Sequence, residues 1–129
     1  MITFAAPAAV TYTVTTAAIT STFAVATDDV STLSGIVGVC GPYTYTILEG
    51  YSFTLVDSAL ATLTVVTNIM ADIGVYTATM EAKLTNYPAA APVLVSFSIT
   101  IVDPCLTTVV TLPALVAFTI SAFDGIGFL

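Results

Sequence analysis

Carboxylates are the side chains of this sequence best suited to chemistry, because it contains eight acidic residues, one basic residue and no histidine. Paired carboxylates can cleave glycosidic bonds, and Glu49 and Glu81 are the candidate pair. Their spacing does not favour that role, since we expect both at strand ends or on water-facing strand faces. Asp28, Asp29 and Asp103 could meet at one end of a domain and bind calcium, although solvated loop carboxylates are the more economical explanation.

Other catalytic patterns are missing from the sequence. Without histidine there can be no Ser-His-Asp or Cys-His pair. The sequence also lacks a glycine-rich phosphate loop, a His-Glu-x-x-His motif and an Asp-Thr/Ser-Gly motif. We therefore expect a protein that is not an enzyme and that has no cofactor or catalytic metal.

Two cysteines, Cys40 and Cys105, are separated by 64 residues. This spacing fits neither a Cys-x-x-Cys redox pair nor a zinc ligand set. We expect a single disulfide between them, which would stabilise the fold by about 4 kcal/mol in an entropic model. Such a bond would indicate an oxidising, extracellular setting. The alternative is two unpaired buried thiols that act as small apolar residues.

The charge balance excludes one class of partner. A net charge of -7 and a pI near 4.1 leave no cluster of Lys and Arg that could bind nucleic acid. Threonine is the dominant polar residue, so exposed Thr and Ser hydroxyls must supply much of the solubility. They could also accept O-linked glycans, or the threonines could simply be strand residues that face water.

The composition is apolar without predicting a membrane span. Hydrophobic residues make up 57% of the chain and the mean hydropathy is +1.06. No apolar run reaches the roughly 18 to 20 residues that cross a bilayer as a helix. The longest candidate, residues 112–123, is interrupted by Pro113, Thr119 and Ser121. We expect no transmembrane segment, and no cleavable signal peptide is recognisable at the N-terminus.

Apolar and polar residues alternate with a period of two along most of the chain, which is typical of strands with one buried face. Residues 28–38 instead predict a loop. Glu49-Gly50 predicts a hairpin between its flanking strands. About seven short strands predict an antiparallel β-sandwich over residues 1–106. The predicted strands are residues 10–14, 19–25, 43–47, 51–55, 63–65, 76–84 and 93–101.

The stretch "DIGVYTA" resembles a motif of a known family of β-sandwich domains. Asp72, Gly74, Tyr76 and Ala78 resemble the Asp-x-Gly-x-Tyr-x-Cys pattern that opens the F strand of immunoglobulin-like domains. The resemblance implies a tyrosine corner, in which the Tyr76 hydroxyl bonds to nearby backbone. Ala78 replaces the family's cysteine and the chain has no Trp. The pattern is therefore closer to the immunoglobulin-like and cadherin-like repeats of extracellular surface proteins, without the calcium-binding linker motifs of cadherins.

Residues 107–129 form a C-terminal extension that repeats the start of the chain. "VTLPALVAFTIS" aligns with "FAAPAAVTYTVT" at a shift of 106 residues. The matched pairs are Pro113 with Pro7, Val116 with Val10, Phe118 with Tyr12, Thr119 with Thr13 and Ile120 with Val14. Such a shift is close to the length of one immunoglobulin-like domain, so the extension resembles the opening of a second copy. Chance similarity between Thr- and Val-rich strands is the alternative.

The extension is too apolar to remain in water, and we expect it to find a groove. It could fold back as an eighth strand, or it could pair with the edge of a neighbouring copy as in donor-strand complementation. We predict the second arrangement, in which the chain is a head-to-tail structural subunit of an extracellular filament or surface array. The residues expected in the intersubunit strand are Val110, Leu112, Leu115, Phe118, Ile120 and Phe123.

A different class of function remains open at this point. An adhesin or carbohydrate-binding module could present Tyr43, Tyr51 and Tyr87 to sugars. Tyr43 and Tyr51 alternate like core residues, so packing is the better explanation for those two.

Overall fold

The structure is a computed structural model, and it describes residues 1–36, 38–106 and 108–117. One short α-helix, α1 (Asp29–Ser34), lies among the strands of this part, together with 3-10 turns at Met70–Asp72 and Pro104–Leu106. The strands are β1 (Ile2–Thr3), β2 (Val10–Thr13), β3 (Ile19–Thr22), β4 (Thr27–Asp28), β5 (Tyr43–Ile47), β6 (Thr54–Asp57), β7 (Thr62–Val65), β8 (Gly74–Leu84) and β9 (Val93–Val102). The protein is therefore mostly β, as the period-two pattern predicted.

The strands form three sheets. β8 and β9 pair antiparallel from Gly74 opposite Ile101 to Ala82 opposite Val93. They lie in the middle of a four-stranded sheet with the order β2-β9-β8-β5. A three-stranded antiparallel sheet has the order β3-β7-β6, and the short β1 and β4 pair with each other. The long β8 and β9 agree closely with the strands predicted at residues 76–84 and 93–101.

One hydrophobic cluster joins the inner faces of the two larger sheets. Side chains alternate between the two faces of a strand, and every second residue is buried from Ala78 to Leu84 in β8 and from Phe97 to Ile101 in β9. Residues of the three-stranded sheet enter the same cluster. The largest fully buried side chains are Tyr12, Leu63, Met80, Ile99, Ile101, Val14 and Val65. Burial of this shared face holds the sheets together.

The hairpin predicted at Glu49-Gly50 is wrong. β5 pairs with β8, whereas β6 pairs with β7, so the turn carries the chain from one sheet to the other. Gly50 has a φ of +64°, a conformation that glycine adopts without steric cost. Tyr51 and Phe53, directly after the turn, stack with their ring centroids 5.0 Å apart instead of continuing a ladder with β5.

The sheets are also not purely antiparallel, because β2 runs parallel to β9. Val10 lies opposite Ile99 and Tyr12 lies opposite Ile101. A parallel pair needs a long connection, and here nearly the whole domain separates the two strands in sequence. The position of the first fourteen residues therefore depends on β9, which lies at the other end of the domain in sequence.

The segment predicted as a loop after Asp28 contains helix α1. The Asp28 carboxylate caps its N-terminus by accepting a hydrogen bond from the Ser31 amide, and Gly35 ends it with a φ of +68°. Aspartate before a helix and glycine after it are strong boundary signals. The helix has only six residues and buries none of them, so hydrophobic periodicity could not reveal it.

The Tyr76 hydroxyl donates a hydrogen bond to the Asp72 carbonyl oxygen at 2.9 Å. This is the contact that the immunoglobulin-like resemblance implied for Asp72, Gly74 and Tyr76. The tyrosine ring also lies 4.9 Å from the ring of Phe53, measured between centroids. The contact fixes the turn Met70–Asp72 against the start of β8 at Gly74.

Replacing Tyr76 with phenylalanine should lower the free energy of unfolding by about 1 kcal/mol, because one part-buried hydrogen bond is lost while the ring is kept. Urea denaturation measures the change. The matched control is Tyr87→Phe, at a residue that is 56% exposed, and it should have no effect. Equal stability of Tyr76→Phe and the native protein would show that the corner contributes nothing.

Candidate functional site

The two ends of β8 define the two ends of the domain. Leu84 is opposite Tyr43 of β5, and Gly74 is opposite Ile101 of β9. Because a strand rises about 3.3 Å per residue, these ends are roughly 33 Å apart. We call them the Leu84 end and the Gly74 end.

Asp28 is the polar centre of the Leu84 end. Its side chain is only 5% exposed, yet its oxygens accept four hydrogen bonds. The Ser31 amide and hydroxyl donate at 2.7 and 2.9 Å, and the Tyr43 hydroxyl donates at 2.8 Å. The Cys40 thiol donates at 3.4 Å. One buried carboxylate thus ties β4, α1, the following loop and β5 together.

These contacts shift the acidity of the groups involved. The Ser31 amide, followed by the Tyr43 hydroxyl, lowers the pKa of Asp28 to about 2. Burial and the neighbouring carboxylate raise the pKa of Tyr43 and also that of the Cys40 thiol. Asp28 is therefore an ionised hydrogen-bond acceptor. Tyr43 and Cys40, whose pKa values are raised, lose a proton less readily than usual. The group is suited to holding structure and not to acid-base catalysis.

A cleft of about 390 Å³ opens beside Asp28. Such a volume is within the range of small-molecule sites. Tyr45 presents a hydroxyl there that already accepts a hydrogen bond from the Ala26 amide at 2.8 Å. Residues of β4, α1, β5 and the connections around them line the cleft: Val25, Ala26, Thr27, Asp28, Ser31, Thr32, Gly38, Gly41, Pro42, Tyr43, Tyr45, Ser58 and Ala59. Sequence analysis missed the cleft because its walls come from four separate stretches of chain.

The structure does not contain the predicted Cys40–Cys105 disulfide, and both cysteines are free thiols. Cys40 lies beside Leu84, whereas Cys105 follows Val102 at the Gly74 end. A disulfide requires Cα atoms closer than about 7 Å, and the length of β8 separates the two. The alternative of two buried thiols also fails for Cys105, which is exposed.

The three aspartates considered as possible calcium ligands are not brought together. Asp28 and Asp29 lie at the Leu84 end and Asp103 follows β9 at the Gly74 end, so they do not meet. Across the described ranges, no group of three or more His, Cys, Asp or Glu side chains could hold a metal ion. Glu49 accepts hydrogen bonds from the Thr79 amide at 2.9 and 3.1 Å, so it fixes the chain beside β8.

The three tyrosines proposed to contact sugars do not form one surface. Tyr51 donates to the Thr77 carbonyl oxygen and packs on Phe53. Tyr43 contributes its hydroxyl to the Asp28 cluster, and Tyr87 is the exposed member of the three.

The C-terminal extension is exposed as far as the structure describes it. Val110, Leu112, Leu115 and Val116 are 81%, 88%, 98% and 88% exposed. Residues 108–117 form no helix or strand. Phe118, Ile120 and Phe123, also predicted in the intersubunit strand, lie outside the described residues. Within residues 108–117 the extension therefore does not fold back as an eighth strand.

The start of the chain, which has the same apolar pattern, is buried. Phe4 and Val10 are 7% and 6% exposed, and Tyr12 and Val14 are fully buried. Two copies of one pattern thus have opposite environments in the same chain. Of the helices in the described part, none has the length and apolar character to cross a membrane.

Comparison with known proteins shows similarity of fold and no family. No family model and no curated protein matches the chain. A putative α-galactosidase from Bacteroides fragilis has a TM-score of 0.51 at 13% identity over 78% of this chain. An endo-fucoidan hydrolase of glycoside hydrolase family 107 has a TM-score of 0.53 at 15% identity over 79% of this chain.

These matches concern only part of the other proteins. The chain covers 17% of the α-galactosidase chain and 14% of the fucoidan hydrolase chain. A SusE-like surface polysaccharide-binding protein from Bacteroides thetaiotaomicron has a TM-score of 0.47 at 14% identity, over 74% of this chain and 14% of that one. That score is too low to support a conclusion. At the identities of the first two, the likeness extends to the fold alone.

The low pKa of Asp28 predicts an acid-sensitive fold. Its folded pKa of about 2 lies below the ordinary 3.8, so ionised Asp28 stabilises the fold above pH 4. That contribution is lost as the pH falls from about 4 through 2. The Asp28→Asn variant should be less stable than the native protein at pH 6, and the difference should shrink toward pH 2. Thermal unfolding across this range measures it.

The matched control is Glu81→Gln, which removes a carboxylate from the outward face of β8. It should unfold like the native protein throughout the same pH series. A constant difference between Asp28→Asn and the native protein at every pH would contradict a role for the ionised carboxylate.

Proposed function

We propose that the chain is a non-catalytic structural unit of an extracellular filament or surface array, in which the C-terminal extension docks on a neighbouring unit. The contrast between the buried start of the chain and the exposed extension carries this proposal. The two segments share one apolar pattern. What the first segment gains from burial is available to the second only on another domain.

The energy available is large enough to drive association. Burying a large apolar side chain contributes about 1.5 to 3 kcal/mol relative to leaving it in water. Val110, Leu112, Leu115 and Val116 are all nearly fully exposed. Ordering the extension has an entropic cost, which burial of this group offsets together with the backbone hydrogen bonds that an added strand forms.

A neighbour of the same kind is the best partner for the extension. It matches a segment that this fold already accommodates, and contact between the end of one unit and the body of the next does not close on itself. Such a contact propagates into a string of domains. The units can be separate chains or successive domains of a longer chain, and the docking surface is the same in both cases.

The finer fold assignment belongs to the same proposal. We interpret the four- and three-stranded sheets as an immunoglobulin-like sandwich of seven strands. The Tyr76 contact to Asp72 supports this interpretation, and so does the parallel placement of β2 beside β9 at the edge of the larger sheet. Extracellular domains commonly use this architecture, which agrees with the surface location proposed here.

Charge at the apolar extension should abolish association without unfolding the domain. The double variant Val110→Asp/Val116→Asp places carboxylates at the two positions that match the buried Phe4 and Val10, and both positions are exposed in the isolated chain. Sedimentation velocity should show oligomers for the native protein and monomers for the variant, with unchanged thermal unfolding. The matched control, Thr111→Asp, changes an exposed polar residue of the same segment and should still associate. A native protein that stays monomeric at high concentration would contradict the proposal.

Carbohydrate binding is a second candidate function, and the cleft beside Asp28 is the observation that favours it. Its volume suits a small ligand, and it combines apolar walls with hydroxyl groups of Ser31, Thr32 and Ser58. The two fold neighbours with the higher TM-scores are described as enzymes that act on carbohydrates. Their likeness concerns fold alone, so this candidate depends on the cleft.

Filling the cleft tests the second function. Ala59→Trp places a large side chain in the cleft wall and should abolish any glycan binding that a glycan array detects for the native protein. Ala18→Trp adds the same side chain at an exposed position outside the cleft and should retain binding. If the native protein binds no glycan, or if both variants bind equally, the cleft is not a sugar site.

A further inference from the structure

We propose that the extension of one copy docks in the place that residues 2–14 fill in the structure, beside β9 of a neighbouring copy. This inference rests on the proposed function and specifies its acceptor site. Residues 110–120 of one copy would take the position of residues 4–14 of the next. The extension of one copy would therefore displace the first segment of the next copy.

The first segment is an edge element that can be exchanged. Among the strands of residues 1–36, 38–106 and 108–117, β2 is the outermost of its sheet and pairs only with β9. β1 has two residues and pairs only with the equally short β4. Removing the segment would expose one edge of β9 and the pockets that hold Phe4, Val10, Tyr12 and Val14, and it would leave the β9-β8-β5 ladder intact.

The extension has apolar residues at the spacing that these pockets require. At the shift of 106 residues, Val110 matches Phe4 and Val116 matches Val10. The exchanged strand would therefore place Val116 opposite Ile99 of the neighbour. Ala117, which matches Thr11, would lie opposite Thr100, because Thr11 holds that position in the structure.

One difference between the segments decides which of them occupies the site. The Tyr12 hydroxyl shares its one proton between the Thr16 carbonyl oxygen at 2.8 Å and the Thr67 carbonyl oxygen at 3.1 Å. Position 118 of the extension is phenylalanine, which cannot donate either bond. The first segment is also covalently tethered to its site, which raises its effective concentration. Exchange is therefore favoured when units are concentrated, as in an array.

Disulfide trapping tests the acceptor site. Thr100→Cys is made in one chain and Ala117→Cys in another, both in a Cys40→Ser/Cys105→Ser background, and the two are mixed and oxidised with a disulfide reagent. Oxidation removes two thiol protons and two electrons, which the reagent accepts as it is reduced to thiols. Non-reducing electrophoresis should show a Thr100→Cys–Ala117→Cys heterodimer whose yield rises with protein concentration.

The matched control moves the acceptor cysteine to the opposite edge of the same sheet. Thr46 is exposed and faces outward on β5, so Thr46→Cys samples chance collisions with Ala117→Cys. The Thr100 pair should give on the order of tenfold more heterodimer than the Thr46 pair, as expected for a local effective concentration in the bound state. Equal yields would overturn the proposed site.

A variant of the competing segment gives an independent measurement. Tyr12→Phe removes the two hydrogen bonds that the extension cannot make, and it should raise the Thr100 heterodimer yield several-fold. An unchanged yield would mean that the two segments do not compete. If sedimentation shows association through Val110 and Val116 while no Thr100 heterodimer forms, the extension docks elsewhere and only this inference fails.

Discussion

The antiparallel ladder between β8 and β9 is the constraint on which the rest of the molecule depends. Its inner face supplies Ala78, Met80, Ile99 and Ile101 to the core, all of them almost completely buried. β5 and β2 attach to its two edges, and the three-stranded sheet covers its apolar face. Backbone hydrogen bonds and burial therefore stabilise the same residues.

The length of the same ladder separates two polar centres. Asp28 gathers hydrogen bonds at the Leu84 end. At the Gly74 end, the Thr67 carbonyl oxygen accepts a hydrogen bond from the Tyr12 hydroxyl, and the Thr67 hydroxyl donates a hydrogen bond to the Asp72 carboxylate. The first centre shapes the cleft, and the second anchors the start of the chain beside β9. The cleft and the proposed acceptor site also touch, because the ring of Phe4 lies 5.3 Å from the ring of Tyr45, which lines the cleft.

Sequence patterns predicted elements well where one local rule decided the outcome. β8 and β9 are long, alternate without interruption and end at turn residues, so their bounds were predicted closely. The Tyr76 contact was implied by a seven-residue motif, because the hydroxyl reaches backbone only four residues away. The cleft could not be predicted, since Tyr45, Ser58 and Asp28 approach one another only after the sheets pack. Helix α1 was missed because its capping residues were interpreted as loop residues.

The sequence by itself determined the class of secondary structure, the alternation of buried and exposed residues, the acidic character and the repeat between the two termini. The first three properties depend on composition and on neighbours within a few residues, and the likeness of the two termini is visible when the two stretches are aligned. Only the tertiary structure decided which strands pair, that Cys40 and Cys105 lie at opposite ends, and that Phe4, Val10, Tyr12 and Val14 are buried while residues 110–117 are exposed. The alternation of apolar and polar residues in a strand is the same whichever neighbouring strand it pairs with. The packing of the whole domain therefore determines the pairing.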